Sequence, residues 1–228
     1  MGPREITNNI YLVGGPDITD PKDCAIYLLD LGELVLIDTG AGPSYAKIVH
    51  NIEEIGLDPA RLTAVILTHC HIDHIGGAPQ IRDAFGCQII MHHLDAEAVE
   101  QGDDKMTAAS WYNLAFPPMA VDIKLTKEEE HLRFGDQEII CLHTPGHTPG
   151  SISVYLDRGG KRILFGQDIH GPFSEEFGSD LAAWRRSMEK LLALEADILC
   201  EGHFGVYKPK EGVAEYITHY MKQYKKKG

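Results

Sequence analysis

The segment Thr68-His69-Cys70-His71-Ile72-Asp73-His74-Ile75-Gly76-Gly77 constrains this chain more than any other. Four potential metal ligands fall within six residues, His69 to His74. They follow the apolar run Ala64 to Leu67 and precede a helix expected from about Gly77 to Phe85. A short apolar run bounded by polar residues reads as a strand buried in a sheet. Ligands at the end of such a strand, on a loop feeding a helix, belong where α/β proteins collect their sites. The loop can aim His69 and His71 at one ion while Asp73 and His74 reach a second beside it. Imidazole and carboxylate donors suit zinc, iron and manganese. One His-x-His is a weak signal, but His-x-His-x-Asp-His at a strand end is a strong one. Gly76 and Gly77 are expected to let the chain turn tightly and start the helix close to the ions.

The rest of the chain supports a layered α/β organisation. Residues 4–13 read as one strand, and 24–30 and 33–37 as a hairpin turned at Leu31-Gly32. Val35-Leu36-Ile37 is continuous and apolar, and it ends at Asp38-Thr39-Gly40. Ser44 is expected to cap a helix running to about Ile55. Gly86 closes the next helix, and Gln88 to Met91 is again a strand. Residues 92–131 are polar, partly helical and broken by Phe116-Pro117-Pro118, which predicts an insertion or cap outside the core. Strands resume at 137–143, 151–157 and 162–165. A helix from about Asp180 to Leu194 would bury Leu181, Trp184, Met188, Leu191 and Leu192. Ile198 to Cys200 is a last strand and 209–224 a terminal helix. The expectation is one domain over 1–228, with two similar halves stacked as two sheets and helices outside.

Three further residues stand at comparable breaks after apolar strands. His147 lies in the Pro/Gly-fixed turn Thr144-Pro145-Gly146-His147-Thr148-Pro149-Gly150. Asp168 follows Ile163-Leu164-Phe165 in Gly166-Gln167-Asp168, and His203 follows Ile198-Leu199-Cys200 in Glu201-Gly202-His203.

With these motifs in place, residues 24 to about 203 resemble the metallo-β-lactamase superfamily, in particular its glyoxalase II-like branch of thioester and ester hydrolases. The resemblance implies a four-layer αβ/βα sandwich of α/β (α+β) class. It implies that His69, His71 and His147 bind a first ion, that Asp73, His74 and His203 bind a second, and that Asp168 bridges them. Asp38 would orient the His-rich loop without touching metal. The implied cofactor is a pair of divalent transition metals, zinc foremost, with iron or manganese as alternatives. Asp73 would also be catalytic, holding a metal-activated water and carrying its proton to the leaving group.

Composition narrows the partners. The formal net charge is -13, from 34 acidic and 21 basic residues, and such a surface repels phosphate backbones. A nucleic-acid partner is therefore not expected, and a small-molecule substrate is. The basic run of Lys222, Lys225, Lys226 and Lys227 reads as a solvated tail. Neither an export signal nor a membrane span is expected. Five cysteines without regular spacing predict no disulfide framework and a cytoplasmic setting. Cys24, Cys87, Cys141 and Cys200 read as core residues, and Cys70 should point away from the ions. His50, His92, His93, His131 and His219 read as surface residues, while His143 is either packed or a support for the site. A homo-oligomer formed through the inserted segment remains open.

Substrate choice is expected in loops. Candidate pocket residues are Trp111, Tyr112 and Phe116 of the insertion, His170, and the segment Phe173 to Phe177, alongside the loop 14–23. Only 25 residues follow His203, where glyoxalase II proper carries a helical glutathione-binding domain, which disfavours S-lactoylglutathione. The flavodiiron branch has Glu where His71 stands, and the β-lactamase branches with a Cys ligand depart from the Asp168 pattern. Ile169-His170-Gly171-Pro172 follows Asp168, so the tyrosine usual in the family's lactonases is missing. The leading expectation is a thioester, ester or lactone hydrolase. A mononuclear iron enzyme resembling persulfide dioxygenases and a non-catalytic metal-binding module are the alternatives.

Overall fold

Asn8 and Asn9 both take positive φ, at 45° and 63°, and so split the expected first strand into a hairpin. Asparagine is among the few residues that adopt this region readily. The hairpin strands are β1 (Arg4–Thr7) and β2 (Ile10–Gly14). The computed structural model describes residues 1–224, so Lys225, Lys226 and Lys227 of the expected solvated tail lie outside the described residues.

The first sheet runs in order β1, β2, β3 (Ile26–Asp30), β4 (Leu34–Ile37), β5 (Leu62–Ile66), β6 (Gln88–His92) and β7 (Ile123–Leu125). Its hairpin strands pair antiparallel, and β4 to β7 pair parallel. The second sheet is ordered β13 (Val206–Tyr207), β12 (Ile198–Glu201), β11 (Lys161–Gly166), β10 (Ile152–Arg158), β9 (Gln137–His143) and β8 (Glu129–Phe134). Only β11 and β12 pair parallel there. The inner faces meet in one apolar core, with Tyr27, Val35, Ile37, Ile66 and Ile90 against Ile139, Val154, Ile163, Phe165 and Ile198. Helices α1 (Tyr45–Glu54), α3 (Ala78–Phe85) and α4 (His93–Gln101) cover the outside of the first sheet. Helices α5 (Leu181–Ala193) and α6 (Lys210–Gln223) cover the second. The four-layer sandwich expected from the two similar halves is present.

The parallel pairs set the site. Each side of a parallel sheet sends successive strands out at one edge, so the residues after paired positions arrive side by side. Ile37 pairs Ile66, which brings Asp38 to Thr68; Gly166 pairs Glu201, which brings Asp168 to His203.

Several expectations change. Residues 92–131 are not a cap outside the core. Ala96, Val99, Phe116 and Met119 are buried against the first sheet, β7 extends it, and β8 is an edge strand of the second. Strand β8 escaped notice because edge position leaves its residues alternately exposed, as in Glu129-Glu130-His131. Ser44 precedes α1 but makes no side-chain cap hydrogen bond. Leu181, at the first turn of α5, is 40% exposed rather than buried, whereas Trp184, Met188 and Leu191 are buried. His92 is buried too, its ring stacked on His143 at 3.9 Å, and burial together with the imidazoles of His143 and His93 pushes it down to about 4. All five cysteines are free and buried. No helix among the described residues is long and apolar enough to cross a membrane.

Candidate metal centre and its cavity

Asp38 and Asp168 each leave a buried strand with a positive φ, 60° and 51°. Aspartate tolerates this conformation better than most residues, at a cost the surroundings must offset. The two positions correspond in the two halves, one after β4 and one after β11.

Asp38 is fully buried and is surrounded by donors. The Thr68 backbone N–H and hydroxyl each donate to it at 2.8 Å, the Gln167 side-chain amide does so at 2.8 Å, and His74 Nδ1 lies 2.8 Å from Oδ2. An acceptor on Nδ1 fixes the His74 ring with Nε2 facing the other way, into the cluster. His71 precedes the one-turn helix α2 (Ile72–Ile75), which carries Asp73 and His74. Gly76 and Gly77 have ordinary negative φ, so the expected tight turn is not their reason. A Cβ at Gly76 would lie 2.3 Å from the Ala41 carbonyl carbon, and one at Gly77 2.4 Å from the Thr39 oxygen. These glycines allow the loop after β4 to press against the His-rich segment.

Three imidazole nitrogens converge. His71 Nδ1 lies 3.1 Å from His69 Nε2 and 2.9 Å from His147 Nε2. His147 is held from behind by the Pro172 carbonyl, 2.7 Å from its Nδ1. Asp168 Oδ2 lies 3.3 Å from His147 Nε2 and 3.8 Å from His69 Nε2. Its other oxygen, Oδ1, lies 3.3 Å from His74 Nε2 and 3.2 Å from His203 Nε2. Asp73 Oδ2 stands 3.7 Å and 3.4 Å from the same two nitrogens. Asp168 therefore faces both groups at once, with one oxygen for each.

The donor set fits a pair of metal ions. The groups His69, His71, His147, Asp168 and Asp73, His74, His203 each bring their ligand atoms close enough to hold one ion. His74 Nε2 and Asp168 Oδ1 are buried with no hydrogen-bond partner, a costly state that a cation between them relieves. Burial and neighbouring imidazoles push His69 and His71 well below the ordinary imidazole range, leaving neutral rings with lone pairs to offer. Around the second group the balance is reversed. Burial opposes charge on His203, yet the Asp168 carboxylate draws it up to about 9. Burial likewise opposes charge on His74, while Cys24, Asp168, Asp73 and Asp38 pull it well up. Burial also works against the Asp168 anion, but His203 and His74 hold its carboxyl well below the usual range. These buried carboxylates demand positive charge at this place.

A second frame of carboxylates supports the ligand loops. Asp95, on α4, is completely buried and accepts from the Cys70 N–H at 3.0 Å, the Thr148 hydroxyl at 2.6 Å and the Gly150 N–H at 2.6 Å. It ties the loop of His69 and His71 to the loop of His147. Burial raises its carboxyl above the usual range, opposed by those hydrogen bonds from Thr148, Gly150 and Cys70. Glu201, also fully buried, accepts from the backbone N–H of His203 at 2.6 Å and of Phe204 at 2.9 Å, and meets His170 Nδ1 at 2.9 Å. The Cys70 thiol points away from the ligands, 3.2 Å from the Met106 carbonyl.

A cavity of about 350 Å³ opens onto the cluster, lined by His71, Asp73, Asp168 and His203 together with Trp111, Tyr112, His170, Phe177 and Phe204. Trp111, Tyr112 and His170 are where the sequence placed them. Phe116 is not; it is buried in the core against the first sheet. Phe173 packs edge-on against Trp184 and Tyr224 and does not line the cavity. Its neighbour in the same segment, Phe177, lines it instead and stands edge-on to His71 at 4.4 Å. Burial and the Asp73 carboxylate raise the Tyr112 phenol, which stays protonated. The sequence does not single out Asp95, Gln167, Glu201 or Phe204; Asp95 and Gln167 act through partners far away in sequence.

Residues 19–203 match the sequence model of the family described as the metallo-beta-lactamase superfamily. The chain is 30% identical over 200 residues to a probable metallo-hydrolase of Bacillus subtilis, covering 74% of each chain. It is 28% identical over 197 residues to a hydroxyacylglutathione hydrolase of Cereibacter sphaeroides, covering 85% of this chain and 66% of that one. Among solved structures, a metallo-beta-lactamase of Cronobacter sakazakii with a mutated HARLDQ motif superposes with a TM-score of 0.85. That match has 23% identity and covers 100% of this chain and 96% of the other.

Proposed function

The chain belongs to the metallo-beta-lactamase superfamily, and on that premise we propose that it is a two-metal hydrolase of a small thioester, ester or lactone. The observation that carries this reading is the Asp168 carboxylate, which turns one oxygen to His147 and His69 and the other to His74 and His203. The similarity to a hydroxyacylglutathione hydrolase supports an acylated sulfur or oxygen as the bond cleaved. Bound in this donor set, zinc or a similar divalent pair would supply a water-derived nucleophile near neutral pH and polarise the scissile carbonyl.

The chain's own residues do the rest. His69, His71 and His147 would hold a first ion and Asp73, His74 and His203 a second, with Asp168 facing both groups. Asp73 Oδ2 faces the cluster at the floor of the cavity, where it can take a proton from the attacking water and return it to the leaving group. The protonated Tyr112 phenol lines the cavity beside the Asp73 carboxylate, where it can help to orient it. Trp111, Phe177 and Phe204 give the acyl group an apolar wall and limit water.

The test is to purify the chain without chelators and without air, count metals per chain, and assay a panel of thioesters, esters and lactones. Two zinc or manganese ions and turnover on the panel are expected. One iron per chain with oxygen uptake on a persulfide would replace the reading by a dioxygenase. Failure to take up any metal would remove the basis of both.

Asp38 gives a second test. Asp38→Ala removes the acceptor that sets His74, so metal affinity at the second position should fall about 10- to 100-fold. Competition with a chelator reads this directly. An unchanged affinity would mean that His74 is oriented by something else.

A further inference from the structure

A second cavity, of about 390 Å³, adjoins the first across the exposed ring of Phe204. The two share Pro16, His203 and Phe204 in their walls. We propose that this second cavity is a subsite for a carboxylate carried by the substrate away from the cleaved bond, anchored by the guanidinium of Arg4. The inference rests on the reading of the first cavity as the place where the bond is broken.

Among the described residues, Arg4, an exposed side chain, is the only lysine or arginine lining either cavity. Among the described residues its guanidinium has no hydrogen bond or ion pair. The register of the first hairpin sets Arg4 directly across from Leu12, which also lines the second cavity. Its charge is felt by the buried Tyr27 phenol, whose hydroxyl donates to the Glu201 carbonyl at 2.7 Å. Arg4 thus stands beside the strand end that delivers His203.

The chemistry of the walls selects the ligand. The first cavity offers aromatic surface and, apart from the histidines of the metal cluster and His170, no basic side chain, so the walls away from the cluster suit an uncharged acyl group. The second is lined by Arg4, by Asp17 and by Met1, whose ammonium is already engaged with the Asp17 carbonyl at 2.7 Å. A planar fork of N–H donors matches a single carboxylate in two parallel hydrogen bonds. Asp17 and the net charge of -13 repel a group of higher negative charge such as a diphosphate. A substrate reaching both cavities therefore passes Phe204, with its reactive carbonyl on one side and its carboxylate on the other.

The experiment uses the full chain loaded with zinc. Calorimetric titrations compare 3-mercaptopropionate, 6-mercaptohexanoate and 8-mercaptooctanoate with the corresponding primary amides. The thiol goes to the metals in both members of each pair, so the pair isolates the far end. For at least one length the acid should bind about 5- to 10-fold more tightly than its amide, as befits one charge-assisted contact open to solvent. Arg4→Ala should bring that ratio to about one without changing amide binding, and Arg4→Lys should restore part of it. Equal binding of acid and amide at every length, or a preference that survives Arg4→Ala, overturns the subsite while leaving the neighbouring cavity intact. If neither member of any pair binds, the reading of the first cavity fails and the subsite fails with it.

Discussion

Asp168→Asn is expected to lower kcat/KM by about a thousandfold or more, because in the proposed two-metal hydrolase several kcal/mol of transition-state stabilisation depend on the metals this carboxylate would hold. The substitution keeps the volume and removes the charge. It leaves His74 and His203, whose imidazoles Asp168 faces at 3.3 Å and 3.2 Å, without the anion that balances positive charge between them. Metal content should fall with activity, toward one ion or none per chain. A variant that kept two ions and lost only activity would assign Asp168 to proton transfer instead of metal holding.

The second large effect is expected at Asp95. Asp95→Ala strips acceptors from two backbone N–H groups and one hydroxyl, all buried, at Cys70, Gly150 and Thr148. Each buried donor left unpaired costs about 1 to 3 kcal/mol, so a loss of about 3 to 5 kcal/mol in unfolding free energy is expected. Denaturant titration of the metal-free protein measures it. Asp95→Asn retains one carbonyl acceptor and should recover part of the loss. If Asp95→Ala unfolds at the same denaturant concentration as the parent, the two loops are held by other contacts.

Asp95 also marks where the sequence stops being readable. The ligands themselves were legible because each sits at an abrupt change from continuous apolar residues to a polar or glycine-rich turn. Val65-Ile66-Leu67 before His69, Ile163-Leu164-Phe165 before Asp168 and Ile198-Leu199-Cys200 before His203 are all fully or almost fully buried. Such runs can only be strands with both faces covered, and the chemistry at their ends follows. Asp95 has no such marker. It lies in a segment of polar residues, on a helix whose apolar face is small, and its partners are 25, 53 and 55 residues away. Glu201 does end a marked strand, but nothing in its sequence position says that its carboxylate turns back to the His203 and Phe204 N–H groups and to His170. Phe116 and Phe173 were misplaced for a related reason. Aromatic residues near a site pack inward or line a cavity with equal ease, and only the path of the backbone decides. At Asn8-Asn9 the turn signal was present, but the apolar residues on either side masked it.

Each of the two ligand groups draws residues from both sheets. His69, His71, Asp73 and His74 follow β5 of the first, whereas His147, Asp168 and His203 follow β9, β11 and β12 of the second. An ion shared between them would act as a crosslink between distant parts of the chain, closing long loops much as a disulfide does. Its binding energy is spent on the native state alone, so resistance to unfolding rises with the free metal concentration. The sandwich is then a clamp whose grip is set from outside. Where metal is scarce, the seam between the sheets at this edge would lose that restraint.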